Sequence, residues 1–132
     1  MKKILTVLLA VSMITPGAFA EEKKLGAQPA SGGFENRCGW VANPTPANWW
    51  LTDKDGMWVI GVQGGRQAEG DIPEFPEGGK YWKKTNGSYG YGCACLMVKV
   101  DRKEKTILEI QGGHALPLAK CRADKSLKSE NR

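Results

Sequence analysis

The chain has 132 residues, 19 Lys and Arg against 14 Asp and Glu, a net charge of +5 and four cysteines. That length supports one domain with one modest hydrophobic core. The excess charge sits at the two ends, with Lys2 and Lys3 at the start and Lys120, Arg122, Lys125, Lys128 and Arg132 against Asp124 and Glu130 at the finish. Residues 21–119 are balanced, so the central region lacks the concentrated basic footprint of a nucleic-acid-binding protein, and no nucleic-acid partner is expected.

The first twenty residues read as a secretory signal peptide. Lys2 and Lys3 give a cationic start, residues 4–14 form an uncharged apolar run, Pro16-Gly17 breaks a helix, and Ala18-Phe19-Ala20 places small residues at a cleavage site. The apolar run falls short of the roughly 20 residues that cross a bilayer. The first cysteine is Cys38, too far along for lipid attachment at the cleavage point. The expected product is a soluble periplasmic or secreted protein with no membrane span after cleavage. Residues 21–33, charged and then small and Gly/Ser-rich, read as a flexible lead-in, residues 34–124 as a single β domain, and residues 125–132 as a basic, solvated tail.

Within the domain, Asn43-Pro44-Thr45-Pro46 is extended because each proline fixes its own φ and restricts its predecessor. Trp49-Trp50-Leu51 reads as a short strand, Asp53-Lys54-Asp55-Gly56 as a turn and residues 57–62 as the returning strand. Residues 64–80 form a long loop rich in Gly, Pro and acidic residues around Phe75, of a length often associated with function. Tyr81-Trp82 opens another strand, Asn86-Gly87 is a tight-turn signal, and residues 91–100 alternate as a strand. Cys93, Cys95, Met97 and Lys99 share one of its faces, and Ala94, Leu96, Val98 and Val100 the other. Residues 106–110 pair back, and residues 118–128 have room for one or two helical turns. The expected class is all-β, a small disulfide-stapled antiparallel sandwich or barrel-like domain of short hairpins with a short C-terminal helix. Residues 53–66 also echo residues 101–114 without gaps, each ending in Gln-Gly-Gly and a basic residue, which a duplicated hairpin would explain.

An even set of cysteines in an exported chain reads as two disulfides. Cys93 and Cys95 lie on one face of a strand with Cα atoms roughly 6.5 Å apart and parallel side chains, so they pair outward, one with Cys38 and the other with Cys121. A redox-active pair would ordinarily show Cys-x-x-Cys at a helix N-terminus, and structural zinc a different spacing; neither pattern is present.

The five tryptophans, Trp40, Trp49, Trp50, Trp58 and Trp82, lie near Tyr81, Tyr89 and Tyr91. Most would fill the core, but adjacent Trp49 and Trp50 face opposite sides of a strand. Aromatic faces stack on sugar rings, which makes Trp49, Trp50, Phe75, Tyr89 and Tyr91 the candidate ligand surface. Asp53-Lys54-Asp55-Gly56 lacks the remaining ligands of a calcium loop, and Gly87-Ser88-Tyr89-Gly90-Tyr91-Gly92 lacks the Lys-Ser/Thr of a phosphate loop, so its glycines read as packing positions. His114 is the sole histidine, reads as a turn residue, and no Gly-x-Ser-x-Gly elbow is present. No catalytic residue, metal or cofactor is expected.

Arg37-Cys38-Gly39-Trp40, Asn43 to Asn48, Asp53 to Trp58, Gln63-Gly64-Gly65, Thr85 to Cys95 and Pro117 to Arg122 together resemble one family of small exported bacterial proteins, domain of unknown function 4087. The resemblance covers roughly residues 37–124 and implies a single domain, with no activity or site residues attached. The leading expectation is a non-catalytic exported binding module for an envelope glycan or a protein partner. Its rivals are a small envelope enzyme built on His114 or a thiol pair, and a structural envelope component.

Overall fold

The structure, a computed structural model, describes residues 33–128. The expected signal peptide, nearly all of the expected lead-in and residues 129–132 lie outside the described residues. Six strands and one helix follow in order: β1 (Glu35–Thr45), β2 (Asn48–Asp53), β3 (Gly56–Gly61), β4 (Trp82–Asn86), β5 (Tyr89–Asp101), β6 (Thr106–Leu116) and α1 (Leu118–Ala123). No helix among the described residues is long and apolar enough to cross a membrane.

β1 pairs antiparallel with β2 on one edge and with β5 on the other. β2 pairs with β3, β5 with β6, and β3 meets β6 in parallel at Val59 and Thr106. Five strands therefore close on themselves in the order β1-β2-β3-β6-β5, the connectivity of an OB-type barrel. β4 attaches to residues 89–92 of β5, on the edge that β6 takes over from Cys93 onward.

The all-β class holds, with two refinements. The domain is a barrel rather than a sandwich, and its sheet is mixed rather than wholly antiparallel. The loop before β6 delivers the Lys105 carbonyl to the Val59 N–H at 2.9 Å, which sets β6 alongside β3 in the parallel sense.

The barrel interior draws on every closing strand: Val41, Leu51, Trp58, Ile60, Ala94, Leu96, Val98, Ile107 and Ile110 are all buried together. Outside the wall, α1 folds back over β1 and β5 and covers a second core of Trp40, Ala42, Tyr91, Cys93, Leu118 and Cys121. Leu127 packs on this core and the Trp40 indole N–H donates to the Lys128 carbonyl at 3.1 Å. Docked chain thus continues beyond residue 124 to the end of the described region.

The cysteines pair outward as the strand geometry requires, Cys38 with Cys95 and Cys93 with Cys121. The first bridge joins residues directly opposed across β1 and β5; the second ties α1 to the barrel wall.

Two local expectations change. β1 begins at Glu35 and runs through Pro44, a strand that the sequence pattern does not announce. β6 continues through Gly112-Gly113-His114, so His114 stands on a strand opposite Cys95 and not in a turn. Gly113 permits this, because a Cβ there would press on the Cys95 carbonyl and the Leu96 side chain. The two echoed segments both form hairpins, but Gln63-Gly64-Gly65 lies outside the strands as a turn while Gln111-Gly112-Gly113 stays in β6.

One barrel end is closed by polar chemistry. Arg37 is buried, its guanidinium stacked 3.9 Å from the Trp58 ring centre. It donates to Asp53 Oδ2 and, at 3.1 Å, to Asp55 Oδ2. Asp53 Oδ1 accepts from the Asp55 backbone N–H at 2.8 Å and the Trp58 indole at 3.0 Å. Burial pulls the Arg37 pKa down, but its hydrogen bonds to Asp53 and Asp55, with the charges of Asp53 and Glu35, outweigh it and hold it above its ordinary value. Asp55 is held below its ordinary value by hydrogen bonds from Lys54 and then Arg37.

Three outcomes follow. Asp53→Ala leaves Arg37 buried without its main partner and is expected to cost about 3–5 kcal/mol in urea denaturation, whereas Arg37→Met with Asp53→Leu costs less than Asp53→Ala alone. Because the Asp55 pKa is depressed in the fold, its stabilisation is present above the unfolded pKa and lost as pH falls through the folded one. Asp55→Asn should therefore lower the melting temperature at neutral pH, with the difference from wild type vanishing in strong acid. Removing the 28-residue bridge with Cys93→Ala and Cys121→Ala should cost roughly 3 kcal/mol in the same denaturation assay.

Candidate functional site

The long loop between β3 and β4 builds a concavity that carries aromatic rings. Its first part is sewn into the barrel seam: Ala68 N–H donates to the Ile60 carbonyl at 2.8 Å, Glu69 N–H to the Leu108 carbonyl at 3.0 Å, and Ile110 N–H to the Glu69 carbonyl at 2.7 Å. The Gln67 amide donates to the Ala47 and Val62 carbonyls and occupies the space left by the missing side chain of Gly61. Ile72 and Phe75 then pack on the barrel core. At the far end the Lys80 carbonyl accepts from Leu118 N–H at 2.8 Å, which joins the loop to the start of α1.

Between this loop and β4 lies an open cleft of about 1210 Å³. Trp49, Phe75 and Trp82 meet there, with ring centres 4.8 Å apart for Phe75 and Trp82 and 6.3 Å for Trp49 and Trp82, tilted by about 50°. The Trp82 ring is braced by its indole N–H, which donates to the Ser88 carbonyl at 3.0 Å. Asp71, Glu74 and Glu77 line the loop side, and Lys83 and Lys84 the β4 side. The cleft presents apolar ring faces flanked by charged groups able to accept or donate hydrogen bonds.

Of the five ligand candidates, Trp49 and Phe75 line this cleft. Trp50 faces the opposite way and packs half-buried on the outer core, as the alternation along β2 requires. Tyr91 is 8% exposed and sits edge-on to Trp40 with ring centres 5.4 Å apart, so it is a packing residue rather than part of a surface. Tyr89 is half-buried at the start of β5 and does not line the cleft.

Trp82 is the aromatic member that the sequence reading left out. Its signal was indirect: Gly90 and Gly92 on β5 are bare where they face β4 and the loop. A Cβ at Gly92 would run into the Phe75 ring, and one at Gly90 into the Lys83 carbonyl. The glycines of the Gly-Tyr-Gly run are thus packing positions, and what they admit is the floor of the cleft.

A second, smaller groove of about 410 Å³ lies at the other barrel end between the start of β1, the β2–β3 turn and the C-terminal segment. It is lined by the Arg37 network together with Cys38, Arg102, Asp124 and Ser126. The side-chain and backbone hydrogen bonds from Ser126 hold the Asp124 carboxyl below its ordinary pKa.

No curated protein and no solved structure matches the chain. One family model, described as Protein of unknown function (DUF4087), matches residues 33–128, the barrel, helix and docked C-terminal segment together, and the chain belongs to that family.

Proposed function

We propose that this protein is a non-catalytic binding module of the cell envelope, and that its ligand is a glycan held in the cleft between the long loop and β4. The observation that carries the reading is the corner formed by Trp49, Phe75 and Trp82 in an open cleft. Rings so arranged offer flat apolar faces to the C–H faces of sugars, while Asp71, Glu74, Glu77, Lys83 and Lys84 stand where hydroxyl and amino substituents would reach. Phe75 stands on a loop sewn to β3, β6 and α1, and Trp49 and Trp82 stand on paired strands, so the rings are held in place and less entropy is lost on binding. The N-terminal export pattern and the two disulfides favour an oxidising compartment where envelope polysaccharide is at hand.

The test is co-sedimentation of the mature protein with polysaccharide prepared from its own cell envelope. Trp82→Ala and Trp49→Ala are each expected to weaken retention at least tenfold, while Trp50→Ala, on the far side of β2, stays within about twofold. Retention equal in all four proteins, or none in the wild type, would remove the reading.

A further inference from the structure

The two disulfides occupy different surroundings. Cys93 and Cys121 are 1% and 4% exposed, inside the outer core. Cys38 is exposed and lines the groove of about 410 Å³, which Cys95 does not. Cys95, itself 9% exposed, is paired in register with Cys38 on one side and with His114 on the other. Cross-strand partners point their side chains to the same face a few ångströms apart, so Cys38, Cys95 and His114 form a row across β1, β5 and β6. His114 is exposed and is the chain's sole histidine.

From this arrangement we propose that Cys38–Cys95 is an exchange-active disulfide that oxidises a dithiol partner lying in the groove. The partner's thiolate attacks Cys38 Sγ. The Cys38–Cys95 bond breaks and its electron pair leaves on Cys95 Sγ, which takes up the proton lost by the attacking thiol, passed on by the His114 imidazole. The partner's second thiol then attacks the mixed disulfide and releases Cys38 as a thiol. The partner's two thiols become one disulfide, and this protein's disulfide becomes two thiols. Exchange needs an accessible sulfur and a stabilised leaving thiolate, which the exposed Cys38 and the neighbouring His114 supply.

The fold tolerates the opened bond. β1 stays paired with β5 at nine positions, and the buried Cys93–Cys121 bridge is outside the reaction. This activity is independent of the glycan reading, since the groove and the aromatic cleft share no residue.

The experiment uses the folded mature protein and dithiothreitol as the dithiol, with timed alkylation and peptide mass mapping. Cys38 and Cys95 are expected to become alkylated at least tenfold faster than Cys93 and Cys121, one oxidised dithiothreitol forming per bond opened, with the circular dichroism unchanged. His114→Gln is expected to slow the opening severalfold and His114→Lys, which restores a side chain able to pass on a proton, to recover most of it. Opening of both bridges together, opening only as the fold is lost in urea, or a His114→Gln rate equal to wild type would overturn the proposal.

Discussion

The fold depends on a strand with almost no solvent face. Along β5, residues 90–96 are buried without interruption. Ala94, Leu96 and Val98 point into the barrel, while Tyr91 and Cys93 point outward under α1. The same strand is hydrogen-bonded on both edges, to β1 along one and to β4 and then β6 along the other. Both disulfides end on it. A strand committed on two faces and two edges tolerates little change in register, because a slip by one residue would exchange the barrel residues for the outer ones and pull both cysteines from their partners. Such a strand gives a small domain the cooperativity that its modest interior alone would struggle to supply.

The two barrel ends are closed by different means, and the difference shapes the surface. At one end the interior reaches Trp58, and charge takes over: Arg37 lies over the ring, Lys105 approaches the same ring at 4.3 Å, and Asp53 binds Arg37, the indole and the turn backbone at once. Among the described residues no buried side-chain nitrogen or oxygen lacks a hydrogen-bond partner, which is what makes a buried ion pair tolerable. At the other end apolar residues of a long loop, Ile72 and Phe75, complete the packing. A loop that must span from β3 to β4 and also plug the barrel has more chain than the plug requires. The remainder stands away from β4 and leaves the aromatic cleft.

The two candidate functions fall on the two ends accordingly. The apolar closure exposes ring faces beside acidic side chains, suited to holding a ligand. The polar closure leaves a groove beside an accessible sulfur. Neither site uses the outer core, where Tyr91, Trp40 and the buried bridge serve to fasten α1.

Much of this was legible in the residues themselves. The alternation from Tyr91 to Val100 determined which side chains share a face, and with Cys93 and Cys95 two apart it determined that both bridges run outward, because strand geometry places neighbouring side chains on opposite sides and alternate ones on the same side. Asp53-Lys54-Asp55-Gly56 determined its turn, since Gly56 adopts φ of 116° where side chains are unfavourable. Those are local rules with a reach of a few residues. Barrel closure, the choice of Cys38 for Cys95, the continuation of β6 through His114 and the burial of Tyr91 were decided by contacts between positions far apart in the chain. So was the meeting of Trp49, Phe75 and Trp82, which come from a strand, a loop and another strand. Sequence spacing carries no information about such meetings; only the way β5 gathers its neighbours decides which of several plausible aromatics face solvent together and which are spent on packing.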